Sequence, residues 1–317
     1  MPELPEVEVV RHGLAPAVTG ATISSVRVLD ERSLKRHDGP AEDFIDRLTG
    51  ARIDSAVRRG KFLWMPVAVG DAAPAGETGA LGDPVEAVVV HLGMSGQVLL
   101  RSVDAEVAPL TRIVLGVAHP VHGALRVDFV DQRLFGSMAI DALAPTPDGA
   151  PGGHGSPLAF VPGRVAHIAR DPLDPAFDDA RFLAALRSRR TGIKRALLDQ
   201  SLVSGIGNIY ADESLWAARL HYDQPTSTIS MRKARELLGE VRAVLRRALE
   251  EGGTSFDAQY VNVNGASGYF SHSLRAYGQH GSPCSRCGRV LVREQFMNRG
   301  SHFCPRCQRL RAARGAA

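Results

Sequence analysis

Apolar positions fall into two regimes along this chain. Through the first half they come as short, β-branched runs bounded by turn residues: ATISSVRVL, GKFLWMPVAV, VEAVVVHL, GQVLLRSV and ALRVDFV each predict a strand. In the second half the spacing becomes helical over Asp179–Arg187, Lys194–Leu202, Ile209–Leu220 and Met231–Glu250, with Gly205, Gly207 and the Gly252-Gly253 pair as breaks. Two stretches fit neither regime. Gly70–Pro84 and Ala144–Pro157 are rich in Ala, Gly and Pro and predict loops, the second marking a domain boundary. The expected fold class is α+β, with a β-sandwich and its N-terminal helix over 1–143, a linker over 144–163, a helical domain over 164–277, a small module over 278–310 and a basic tail over 311–317. No internal repeat is present.

The opening MPELPEVEVV is denser than a chain terminus usually is. Pro5 suits the first position of a helix, Leu4 staples it from outside, Glu6 and Glu8 sit in the favourable first turn, and Val7, Val10 and Leu14 form the buried stripe. That leaves Pro2 and Glu3 without a structural purpose. Removal of Met1, the ordinary outcome before a small residue, would place a secondary amine beside a carboxylate. A terminal amine with a reference pKa near 7.8 is unprotonated about one time in seven at pH 7, against about one in 2,500 for lysine. Attack of such an amine on a sugar carbon gives an iminium, the electron sink that covalent amine catalysis needs.

Composition narrows the partners. The 317 residues are 44% hydrophobic and 23% charged, as in a globular protein of about two domains. No apolar run has the length of a membrane span, and the acidic start is unlike a signal peptide, so the expected location is cytoplasmic. The net charge is only +4, but from Gly278 to Ala317 there are eight arginines against the single acid Glu294. A near-neutral body with a cationic end points to a polyanion, with a solvated basic tail as the plainer alternative.

All four cysteines lie in that cationic end, as Cys284-x-x-Cys287 and Cys304-x-x-Cys307 separated by sixteen residues. The spacing predicts a four-thiolate zinc ribbon, one structural Zn2+, rather than two disulfides. His280 and His302 stand nearby as substitute ligands. Upstream, SGIGNIYADESLW places two glycines and Asn208 before a helix, where freed N–H groups favour a phosphate; an ordinary helix–turn–helix joint is the competing reading.

The start MPELPEVE, GKFL around Lys61, HLGMSG around Met94, DQRLFG around Arg133, the SGIGNIYADE turn and the four-cysteine ribbon together resemble the formamidopyrimidine-DNA glycosylases, in order and over nearly the whole chain. The resemblance implies a helix–two-turns–helix domain between sandwich and ribbon. It also implies a monomeric base-excision repair enzyme that removes 8-oxoguanine and formamidopyrimidines from double-stranded DNA and cleaves the abasic strand by β,δ-elimination. On this model Pro2 forms the Schiff base with C1′ of a flipped-out nucleotide, Glu3 handles protons, Glu6 supports the site and Lys61 acts in elimination. Met94, Arg133 and Phe135 fill the vacated space, although from the residues alone Met94 and Phe135 would pass for core. Arg190, Lys194, Asn208 and Arg299 grip phosphates, Arg299 counting also among the catalytic residues, and Gly253–Tyr269 covers the extruded base. Leu110 and Leu134 stand where the family commonly has a histidine and a second arginine, which lowers the expected grip on DNA. The rival readings are an endonuclease VIII-type enzyme for oxidised pyrimidines and a non-enzymatic zinc-ribbon DNA-binding protein.

Overall fold

A computed structural model describes residues 2–68, 86–254 and 269–311, and it divides into two compact units. The expected Gly70–Pro84 loop and most of the basic tail lie outside the described residues.

The first unit holds residues Glu6–His167 with Pro2. Helix α1 (Leu4–Val18) lays Val7, Val10 and Leu14 into its core as the spacing predicts, and α2 (Ala41–Leu48) adds Phe44 and Leu48. Ten antiparallel strands make one continuous sheet: β1 (Thr22–Val28), β2 (Arg52–Ile53), β3 (Val57–Arg59), β4 (Phe62–Ala68), β5 (Glu86–His91), β6 (Gly96–Arg101), β7 (Thr111–His119), β8 (Gly123–Asp131), β9 (Ser137–Pro145) and β10 (Phe160–Pro162). Their order is β10-β9-β5-β4-β2-β1-β7-β8-β6, with β3 beside β4. The halves on either side of the two-residue β2 fold over a shared core, in which Leu63, Val88, Val90 and Met138 cluster with Leu115, Val127 and Phe129. The expected sandwich is therefore built from a single bent sheet. The segment 144–163, expected as a linker, packs into this unit: β9 runs to Pro145, Thr146 N–H bonds Ala159 O at 2.8 Å, and Arg58 and His154 exchange backbone hydrogen bonds.

The second unit contains Glu3–Pro5 and the described residues from Ile168 onward. Helices α3 (Asp179–Ser188), α4 (Ile193–Leu198), α5 (Asn208–Ala217) and α6 (Met231–Glu250) enclose Leu186, Leu197, Tyr210, Leu237 and Leu245. Helix α6 starts at a Ser230 cap that accepts from Lys233 N–H. A two-stranded ribbon, β11 (Val292–Phe296) and β12 (Arg299–Phe303), completes it.

Candidate functional site

The glycine-rich turn before α5 is occupied by the chain's own carboxylate. Glu3 is 1% exposed, and its oxygens accept from the N–H groups of Gly207, Ile209 (3.0 Å) and Tyr210 (3.5 Å). A Cβ on Gly207 would lie 2.3 Å from the Glu3 carboxylate, and one on Gly205, at φ 88°, would lie 2.7 Å from Leu4. The glycines are there to admit residues 3 and 4. The reading of this helix N-terminus as a phosphate cradle is corrected accordingly: its donors and its dipole are directed at Glu3. The residue following Pro2 is thus among the most firmly held in the unit, and Pro2 itself is buried.

In the first unit Lys61 lies in the two-residue turn that joins β3 to β4, half-buried, beside Gly60 at φ 56°. The two preceding arginines are structural. Arg58, 3% exposed, pairs with Glu8 at 2.7 Å, and Arg59, 5% exposed, donates to Gly152 O at 2.7 Å. Glu8, between Arg11 and Arg58, is held below the usual carboxylate range despite its burial. Glu6 is buried, at 2% exposure.

Met94 and Phe135 are both 48% exposed, far more than a core assignment allows, and Arg133 is exposed between them in sequence. Their two loops are joined through Asp131, which is fully buried. Its carboxylate accepts from Ser95 Oγ at 2.5 Å, Gly136 N–H at 2.7 Å and Arg133 N–H at 3.1 Å. Gly93 permits the close approach, since a Cβ there would sit 2.4 Å from the Phe135 carbonyl carbon. Leu134 takes the left-handed φ of 55°, and its carbonyl accepts from Lys35 Nζ. Asp131 opens the DQRLFG motif, yet reading the motif for its DNA contacts passes over the residue that sets the loop.

His91 was passed over in the same way. It ends β5 on the outer face of the sheet, in a cleft of about 430 Å³ floored by Phe62, Val89 and Ala139 and bordered by Arg36 and Arg164. Its Nδ1 accepts Gly93 N–H at 3.1 Å, so the proton resides on Nε2. Burial, with Arg36, Lys61 and Lys35 nearby, pushes its pKa down to about 4. It is a neutral hydrogen-bond donor at pH 7.

In the second unit Arg190 is exposed, Arg299 half-buried and Asn208 half-buried with its amide donating to Gly300 O at 3.2 Å. Lys194 departs from expectation. It has no exposure, and its ammonium pairs with Asp212 at 2.6 Å and donates to Ser301 Oγ at 2.8 Å and Gly300 O at 3.1 Å. Two of its N–H groups donate to ribbon oxygens, and the Asp212 carboxylate stands against it as an ion pair. Burial lowers its pKa, opposed by Asp212. As placed, Lys194 has nothing to offer a phosphate. The Gly253–Tyr269 cover falls largely outside the described residues.

The four cysteines are unbridged, and their sulfurs lie within 4.8 Å of one another. Zn–S bonds of about 2.3 Å set tetrahedral S–S edges of about 3.8 Å. The Cys287 and Cys304 sulfurs, 3.5 Å apart, are too distant for a disulfide and close to that edge. The donor set fits one structural zinc. His302 is not a ligand: its Nδ1 faces Asp212 at 3.1 Å.

Three family models match the chain: the formamidopyrimidine-DNA glycosylase N-terminal domain over residues 1–138, the H2TH domain of the same enzymes over 168–259, and the zinc finger found in FPG and IleRS over 281–310. Relatives carrying the name formamidopyrimidine-DNA glycosylase include one from Leifsonia xyli subsp. xyli, 64% identical over 98% of this chain and 100% of its own length. Another, from Kineococcus radiotolerans, is 53% identical over 97% of each. Among solved structures, a Lactococcus lactis FPG mutant in complex with a Fapy-dG containing DNA aligns at TM-score 0.77 and 28% identity, covering 97% of this chain and 100% of that one. The Lactococcus lactis Fpg with an abasic site containing DNA aligns at 0.76 and 28%, over 97% and 99%.

Proposed function

This chain belongs to the formamidopyrimidine-DNA glycosylase family, and on that premise we propose how its residues carry out the reaction. It is a base-excision repair glycosylase with abasic-site lyase activity, acting on double-stranded DNA. Its substrates on this reading are 8-oxoguanine and formamidopyrimidines. The Pro2 nitrogen attacks C1′ as the C1′–N glycosidic bond breaks and the base leaves with a proton. Ring opening yields an iminium between Pro2 and the sugar. Loss of a C2′ proton then expels the 3′ phosphate, a second elimination expels the 5′ phosphate, and hydrolysis frees the amine. No oxidant or cofactor is consumed.

Glu3 supplies and takes the protons at the sugar. The observation that carries this role is its fixation by three N–H groups at the start of α5, which sets a carboxylate immediately after the nucleophile without freedom to swing away. Glu6 supports the site. Lys61 in its tight turn and His91 as a neutral donor take the flanking phosphates, and Lys61 assists elimination. Met94, Arg133 and Phe135 enter the duplex where the base has left, with Arg133 reading the orphaned partner. Asn208, Arg190 and Arg299 hold the strand from the second unit, and the zinc keeps the ribbon folded. No described helix is long and apolar enough to cross a membrane; we assign the protein to the cytoplasm, with the DNA.

Incubation with a duplex carrying 8-oxoguanine opposite C tests the reading. Free oxidised base and a gap bounded by phosphates on both sides are expected. Strand scission without base release, or release only of oxidised pyrimidines, would contradict it.

A further inference from the structure

An ammonium group enclosed by protein must be paired, and Lys194 is paired in a way that connects α4, α5 and the ribbon within one unit. Asp212 Oδ1 takes the ammonium, while Asp212 Oδ2 accepts from His302 N–H at 2.9 Å and faces His302 Nδ1 at 3.1 Å. Asp212 is 1% exposed and His302 7%. Lys194 in turn donates to Gly300 and Ser301, and lies 5.0 Å from the Phe296 ring on the opposite strand. Three successive residues of β12, 300 to 302, are therefore fixed by side chains from two helices. Arg299 comes immediately before them, and its side chain makes a long bond, 3.4 Å, to the adjacent Asn298.

A two-stranded ribbon is marginal by itself and zinc secures its cysteine end, whereas Arg299 sits at the far end beside the Met297-Asn298 turn. We propose that Asp212, with Lys194 and His302, is a positioning unit that holds the backbone of Arg299 so that its guanidinium meets a DNA phosphate already aimed. The assignment rests on the reading of Arg299 as a phosphate contact. None of the three touches DNA. Their contribution is to remove, before binding, the freedom that a contact at the end of a free hairpin would lose on binding.

The test is binding of zinc-loaded, full-length protein to a duplex with a reduced, uncleavable abasic site, measured across salt concentrations. Arg299→Ala should lower the slope of log affinity against log salt by about 0.9, the loss of one phosphate. Asp212→Asn should do the same while keeping one zinc per chain. Lys194→Gln/Asp212→Asn, which leaves no unpaired buried charge, should match it. Placed in an Arg299→Ala background, either change should cost less than about twofold further, since the arginine they aim is gone. Full additivity in that background, or an unchanged slope, would overturn the proposal. Zinc loss from both variants would also overturn it, because the network would then be holding the metal module. An Arg299→Ala protein with the wild-type slope would instead remove the phosphate reading itself, a failure visible with the network intact.

Discussion

Replacing Asp131 by alanine should uncouple lesion recognition from strand chemistry. The carboxylate is fully buried and is the common acceptor for Ser95 Oγ, Arg133 N–H and Gly136 N–H. Without it the buried Gly136 N–H has no partner, at a cost of about 1–3 kcal/mol, and the Ser95 bond contributes about 1 kcal/mol, while Arg133 N–H keeps Ser95 Oγ as an acceptor at 3.2 Å. Leu134 at φ 55° stores about 1–2 kcal/mol that pulls the loop away from this conformation once the hub is gone. Together about 3 kcal/mol or more of loop ordering disappears, equivalent to a shift of about a hundredfold in the loop's conformational equilibrium. Single-turnover excision of 8-oxoguanine opposite C should fall by about 10- to 100-fold, and the preference among opposite C, T, G and A should flatten as it does in Arg133→Ala. Cleavage of a preformed abasic site in single-stranded DNA, where no orphaned base is read, should fall by less than about threefold. An Asp131→Ala enzyme that keeps the wild-type order of opposite bases would refute the reasoning.

Glu3→Gln keeps one acceptor oxygen for the N–H groups of Gly207 and Tyr210 and loses the one that takes Ile209 N–H, so the chain should still fold, at some cost in stability, while base excision is lost and some cleavage of a preformed abasic site remains; equal loss on both substrates would remove Glu3 from the glycosylase step. Cys304→Ser should release zinc and weaken duplex binding while the first unit keeps its thermal transition; a zinc-free wild-type protein would defeat the four-thiolate assignment. His91, with its pKa pushed from 6.5 to about 4, takes up its proton more readily unfolded than folded. Its contribution is neutral above about pH 6.5 and increasingly destabilising as pH falls toward 4, by up to about 3 kcal/mol. Urea denaturation of wild type and His91→Gln should therefore diverge across that interval in favour of the variant, and parallel curves would contradict the shift.

The parts of the fold readable in advance were those in which local propensity and tertiary context agree. Helix α6 runs from Met231 to Glu250 as its periodicity predicts, and Val7, Val10 and Leu14 face the core as the stripe requires. Strand β7 was not anticipated because Gly116 interrupts its apolar run. A Cβ there would lie 2.4 Å from Ser25 Oγ on the neighbouring β1, so a larger residue would require the serine hydroxyl to turn aside. Strand β9, SMAIDALAP, is rich in the helix formers Ala, Met and Leu and becomes a strand through pairing with β5 over residues 137–142. Within the site, residue types were legible and partners were not. Glu3 and the SGIGN turn looked like two separate sites, a carboxylate and a phosphate cradle, and they are one contact between residues two hundred positions apart. Lys194 looked like a surface cation because a sequence does not show Asp212 and the ribbon closing over it.

The central claim is that the amine of Pro2 is the nucleophile. Borohydride reduction during turnover of an 8-oxoguanine duplex, followed by protease digestion and mass spectrometry, locates the bond directly. The account predicts the reduced sugar adduct on the N-terminal peptide beginning at Pro2, and no trapping by protein that retains Met1 or carries a tag ahead of Pro2, although that protein still binds the duplex. An adduct on Lys61, or full trapping by the blocked protein, would contradict it.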